Sequence, residues 1–286
     1  MIYCEENMYR KAFKGYRIPL ILISILAILF CVGSIPIIRA ESNKISPVTT
    51  DEIATKQAEM QDTIVLVQTR RGSGSGTIID CLETDTNGTF EYIVLTNAHV
   101  TNSRFITIIR KVNSLTGRIE TDRIDAGCGI IAFDHINSDW FQYDTTVVAE
   151  DKQYDFALLS FRAEHEFAVA KIADEDMLSK VRVFDEVFAI GCQLKRAPVP
   201  TIGIISQIIT GSNGEKKWVI YGNTAQITPG SSGGGLFKKY GGNYYMIGIP
   251  FRVAIAGNGQ IIPHLAHAIS IGVAKDFIDQ NTVTCQ

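Results

Sequence analysis

Between residues 63 and 253, short runs of β-branched and aromatic residues recur, and turn-forming residues separate them. The runs are Thr63 to Gln68, Gly76 to Ile79, Tyr92 to Thr96, Ile106 to Arg110, Phe156 to Phe161, Val187 to Ile190, Ile202 to Ile209, Trp218 to Tyr221 and Tyr245 to Val253. Asn87-Gly88, Asn213-Gly214 and Asn258-Gly259 lie between such runs and supply the positive φ values that tight hairpin turns need. The pattern predicts an all-β chain. In the later part only Ile271 to Gln280 reads as helix, with Val273, Phe277 and Ile278 on one side. A sandwich, one large barrel and two small packed barrels all satisfy this pattern.

The N-terminus is different in kind. No charged residue occurs from Ile18 to Ile38, and these 21 positions as a helix span about the thickness of a bilayer core. Arg10, Lys11, Lys14 and Arg17 precede the run, whereas only Arg39 and Lys44 follow it closely, so the charge bias keeps the N-terminus cytoplasmic and exports the rest. The reading is an N-terminal transmembrane helix at 18–38 after a cytoplasmic segment 1–17, with a polar linker at 39–58. A cleaved signal peptide is the alternative, with secretion as its result. Cys81, Cys128, Cys192 and Cys285 would then face an oxidising space, where three pairings or four separate thiols are open. The 27 basic and 30 acidic side chains leave a net charge of −3, which argues against nucleic acid as a partner.

Ser232 lies in Thr228-Pro229-Gly230-Ser231-Ser232-Gly233-Gly234-Gly235. A serine among glycines can expose its Oγ on a tight turn, with backbone N–H groups converging nearby to form an oxyanion hole. A flexible glycine-serine hairpin explains the octapeptide alone equally well. The nucleophile elbow of the α/β-hydrolases shares the Gly-x-Ser-x-Gly spacing but needs a helix after the serine, which Leu236 to Tyr240 does not begin. For a base, His99 stands at the exit of the run Tyr92 to Val100. His135 and His165 sit in acidic polar stretches and read as solvated loop residues. His264 and His267 lie in a segment that reads as strand, without a third metal ligand nearby. Asp155 opens the apolar run Phe156 to Phe161, where a carboxylate could hold an imidazole in one tautomer.

These strings, in the order His, Asp, Ser, resemble the trypsin-like serine proteases, most closely the HtrA (Deg) branch. Gly74-Ser75-Gly76-Thr77-Ile78-Ile79 resembles the strand before the histidine, Leu95-Thr96-Asn97-Ala98-His99-Val100 the histidine string, and Tyr154-Asp155-Phe156-Ala157-Leu158-Leu159 the aspartate strand. Val187 to Gly191, Thr201 to Ser206, Pro229 to Leu236 and Ala266 to Ile269 resemble strands and the serine loop of a second barrel. The resemblance implies two six-stranded antiparallel β-barrels with a C-terminal helix, the first at 59–170 carrying His99 and Asp155 and the second at 171–286 carrying Ser232. Ser231 and Gly235 stand where that branch commonly has asparagine and proline. The aromatic-rich stretch Ile124 to Asp151 looks like an insertion, and with the chain ending at Gln286 no PDZ module is expected.

What the resemblance implies chemically is a serine endopeptidase acting on polypeptides through an acyl-enzyme. Catalysis falls to His99, Asp155 and Ser232, with Gly230 and Ser232 N–H groups as the oxyanion hole. No metal or organic cofactor is implied, and homo-oligomerisation is compatible with it. Ile249, Ala266 and Ala268 are the expected substrate-pocket residues, which favours a medium aliphatic P1 side chain over Arg or Lys. His267 or Arg252 would instead attract an acidic one if either points inward. The alternative function is a non-catalytic protease-like module that binds peptides.

Overall fold

The computed structural model describes residues 50–282 apart from 84–87, 113–115, 118, 136–137 and 215. The expected membrane span at 18–38 lies outside the described residues, as do Cys4, Cys31 and Cys285. Among the described residues no helix is long and apolar enough to cross a membrane.

The described part of the chain opens with α1 (Thr50–Lys56) and continues mainly as strands joined by turns. The first half carries β1 (Ile64–Thr69), β2 (Ser73–Glu83), β3 (Phe90–Thr96), α2 (Ala98–Asn102), β4 (Phe105–Val112), β5 (Ile119–Asp125), β6 (Cys128–Asp134), β7 (Asp139–Asp144), β8 (Thr146–Asp151) and β9 (Phe156–Ala163). The second carries α3 (Glu175–Ser179), β10 (Glu186–Gly191), β11 (Val199–Asn213), β12 (Lys216–Asn223), β13 (Gly235–Tyr240), β14 (Asn243–Ile255), β15 (Ile261–Ser270) and α4 (Ile271–Asn281). Turn glycines Gly214 and Gly259 take φ of +67° and +84°, as the Asn-Gly signals anticipate.

The second half forms the expected closed six-stranded barrel, in the order β10-β11-β12-β15-β14-β13. The first half departs from expectation. Its hydrogen-bonded ladder is a seven-stranded sheet, β7-β6-β1-β2-β3-β9-β8, without a ladder between its edges. Those edges, β7 and β8, are nevertheless consecutive in the chain and separated by Thr145 alone. Residues 139–151 therefore act as one bent strand that pairs first with β6 and then with β9. The sheet closes through the covalent chain, and Thr145 Oγ1 donates to the Cys128 carbonyl at 3.0 Å across the corner.

The stretch Ile124 to Asp151 is thus not an insertion, because it supplies β6, β7 and β8. Its aromatics serve the core: Tyr143 lies 5.1 Å from Phe161, and Phe141 and Tyr143 pack against the buried cluster around Val65, Tyr92 and Phe167. The element outside both large sheets is the hairpin β4–β5.

Several strands read as unbroken apolar runs because both of their faces are covered. On β1, Val65 and Val67 face the first barrel's interior with Ile78, Val94 and Leu159, while Ile64 and Leu66 join a layer between the barrels with Phe156, Leu158, Phe188, Ile190 and Phe237. The C-terminal helix α4 lays Val273, Phe277 and Ile278 on that same layer. Truncating a fully buried phenylalanine such as Phe156 to alanine would cost about 3–5 kcal/mol.

Candidate active site at the junction of the barrels

His99 sits in the single turn of α2, immediately after β3, rather than on a strand end. Asp155 precedes β9, the strand paired with β3, so the ladder brings the two together. Asp155 Oδ1 accepts the His99 backbone N–H at 2.8 Å, and Oδ2 lies 2.7 Å from His99 Nδ1. The Asp155 carbonyl also accepts the Ala98 N–H at 3.1 Å and the Asn97 amide at 3.0 Å. This grip holds Asp155 at φ +61°, a left-handed conformation that aspartate tolerates better than most residues. The far side of the ring is open, the His99 side chain being 49% exposed.

The serine loop is a compact set of turns. Ser231 N–H donates to the Thr228 carbonyl at 3.0 Å, Gly234 N–H to that of Ser231 at 3.1 Å, and Gly233 N–H to that of Pro250 at 2.9 Å. Among the described residues the N–H groups of Gly230 and Ser232 donate to no protein acceptor, which leaves two donors on either side of Ser231. Gly233 has φ +86°, and a methyl group there would collide with the Ser75 carbonyl and Thr96 Oγ1, so the loop needs glycine. Ser232 Oγ lies 3.5 Å from the Phe251 carbonyl oxygen, and no hydrogen bond joins it to His99 among the described residues. Such bonds are commonly long before substrate binds and tighten in the Michaelis complex. The loop and α2 border the same spot: a methyl group on Gly74 would stand 2.5 Å from Val100 Cγ2 and 3.0 Å from the Ser232 carbonyl oxygen. After the serine the chain enters β13, a strand, as expected for a site that is not a nucleophile elbow.

The trypsin-like peptidase domain family matches residues 74–249, more than half of the chain, including the strings that carry His99, Asp155 and Ser232. The chain belongs to the trypsin-like peptidases. Among curated relatives it is 31% identical over 144 residues to a probable periplasmic DegP-like serine endoprotease of Buchnera aphidicola, a match covering 50% of this chain and 28% of the relative. Against the periplasmic serine endoprotease DegP of Escherichia coli K12 it is 30% identical over 144 residues, covering 50% and 29%. The matched stretch thus spans less than a third of these relatives. Solved structures similar in fold include Deg5, at 20% identity and a TM-score of 0.55, covering 81% of this chain and 96% of that one. An inactive form of Rv3671c from M. tuberculosis H37Rv is another, at 17% identity and a TM-score of 0.53, covering 84% and 95%.

Within this peptidase fold Ser75, in the run Gly74 to Ile79 of β2, hydrogen-bonds across to the second barrel. Its Oγ donates to the Gly230 carbonyl at 2.6 Å and accepts the Cys192 N–H at 2.7 Å. Its N–H donates to the Ser232 carbonyl at 2.7 Å, and its own carbonyl accepts Thr96 Oγ1 at 2.6 Å. The signal was present as the flanking pair Gly74 and Gly76, small residues that let the serine loop approach β2.

The other expected positions fall as follows. Ile249, Ala266 and Ala268 are at most 1% exposed, Ile249 in the layer between barrels and the two alanines inside the second barrel. His264 is exposed on β15. His135 is not the solvated loop residue expected, since it stacks on Phe133 and its side chain is 15% exposed. His165 is exposed but stacks on Phe141 at 4.7 Å. Among the described residues no group of three or more His, Cys, Asp or Glu is placed to hold a metal. Cys81, Cys128 and Cys192 form no disulfide there, and burial pushes the Cys128 thiol up to about 11.

Proposed function

We propose that the protein is a serine endopeptidase in which Ser232 is the nucleophile, His99 the general base and Asp155 the carboxylate that orients it. The observation that carries this reading is the double attachment of Asp155 to the His99 backbone and ring, which fixes the ring and its tautomer at the edge of the serine loop. Ser232 Oγ attacks a peptide carbonyl while His99 Nε2 takes its proton and later gives it to the leaving amine. Water then releases the acyl-enzyme. The unengaged Gly230 and Ser232 N–H groups hold the oxyanion, each worth about 3 kcal/mol in the transition state.

Beyond Gly248, β14 has β15 on one side and no strand on the other among the described residues, which leaves a strand edge beside Ser232. An extended polypeptide can add to that edge through main-chain hydrogen bonds. Export of this body, with segment 18–38 holding it at the membrane, is supported by the charge bias around that segment and by the periplasmic names of the relatives. Hydrolysis of an unfolded polypeptide by the full chain, with its loss in Ser232→Ala, is the test. A folded wild-type protein that cuts nothing, or a Ser232→Ala protein that cuts as well, would refute the reading.

A further inference from the structure

Ile249, Ala266 and Ala268 are at most 1% exposed, so the expected aliphatic wall offers a substrate side chain no surface. Besides the exposed Ile255 and Leu265, the same strand pair carries two polar side chains, Arg252 and His267, at the rung after Phe251. Arg252 follows directly on Phe251, whose carbonyl oxygen faces Ser232 Oγ, and it is exposed. Across the β14–β15 ladder its partner is His267, which alternation puts on the face opposite to Ala266 and Ala268. Among the described residues Arg252 makes no ion pair, and its guanidinium lies 5.4 Å from the centroid of the Phe251 ring. His267 Nδ1 is sealed from water and makes no hydrogen bond among the described residues.

Burial, then the nearby Arg252 charge, holds the His267 pKa below the ordinary histidine value, so the ring is neutral at pH 7. A sealed lone pair costs less than a sealed N–H, which assigns the ring proton to Nε2. A permanent cation and a neutral donor therefore stand on neighbouring strands one position beyond the carbonyl that faces Ser232 Oγ, the cation without an ion-pair partner among the described residues.

We propose that Arg252 and His267 form a subsite for the carboxylate of an aspartate or glutamate side chain within two residues of the cleaved bond. A guanidinium presents paired N–H donors that match the two oxygens of a carboxylate, and a neutral imidazole N–H adds a third donor without a second buried charge. The site's substrates are in this way acidic polypeptides rather than aliphatic ones. The inference rests on the peptidase reading for its setting, but binding can be read without chemistry.

The test uses a pooled octapeptide library in which one position at a time is Glu, Gln or Lys. Cleavage is scored with the full-length wild-type chain and binding with Ser232→Ala. The expected result is at least about fivefold preference for Glu over Gln at one position near the cut, in both assays. Arg252→Glu should reverse it towards Lys, and His267→Gln, which keeps a donor, should retain more of it than His267→Leu. Arg252 is exposed, so its replacement leaves the fold intact, which a melting curve verifies. Equal handling of Glu and Gln, or a preference untouched by Arg252→Glu, overturns the subsite and leaves the peptidase reading standing. Acid-selective binding without any wild-type cleavage supports the subsite and sinks the peptidase reading, and absence of both binding and cleavage overturns the two together.

Discussion

Asp155 binds His99 at two points, taking the backbone N–H on one carboxylate oxygen at 2.8 Å and facing Nδ1 with the other at 2.7 Å. One contact sets where the residue is, and the other sets which way its ring points and which nitrogen carries the proton. Asp155→Asn keeps an oxygen for the backbone contact and tolerates the left-handed φ of +61°. Its amide, however, would face Nδ1 with N–H and enforce the wrong tautomer. Turnover should fall by about 10⁴-fold. Thermal melting should barely move, so kcat and the melting curve read together separate loss of tautomer from loss of fold.

Ser75 links the two barrels through the loop that carries Gly230 and Ser232, the proposed oxyanion donors. Ser75→Ala would leave the Gly230 carbonyl and the buried Cys192 N–H without their partner, at a cost of about 1–3 kcal/mol. Because Ser75 touches the loop rather than the substrate, kcat should drop while KM changes little. Denaturant unfolding and steady-state kinetics on the same preparation measure both effects.

The site was more legible in the sequence than the first barrel. Glycines around Ser232 report a loop whose backbone must pass close to β2, and that demand is local enough to leave a signature. His99 and Asp155 are recognisable because each borders a largely buried strand, β3 and β9, that pair with each other. Closure of the first barrel was not legible, since it depends on residues 139–151 turning at Thr145, which no Gly or Pro marks. The length of chain between His99 and Asp155 made β6, β7 and β8 look like an insertion. Alternation identified which residues of β15 share a face, but not that the alanine face is buried inside the barrel.

Below the histidine turn, Arg104 is 6% exposed and pairs with Glu150 at 2.5 Å and Asp125 at 2.8 Å. Burial works against the charge of Glu150, but hydrogen bonds from Arg104 and Thr101 overcome it and hold its pKa below the ordinary value. Asp125 is likewise lowered, first by its hydrogen bond from Arg104. A carboxylate whose folded pKa is depressed stabilises the fold above its unfolded pKa, near 4 for these groups, and loses that contribution as pH falls through the folded value. Stability should therefore decline as pH drops from about 5 towards 2. Glu150→Gln should flatten that decline and cost about 1–3 kcal/mol at pH 7, because the buried guanidinium keeps Asp125 but loses one of its two carboxylate charges. Urea unfolding across the pH range measures both the slope and the offset.

Reaction of the folded, full-length chain with a fluorophosphonate, followed by mapping of the adduct by peptide mass spectrometry, addresses the convergence of Ser232, His99 and the oxyanion donors most directly. The result expected is a single adduct on Ser232, lost in Ser232→Ala and slowed by orders of magnitude in His99→Ala. No adduct on folded wild-type protein, or an adduct that persists in Ser232→Ala, would contradict it.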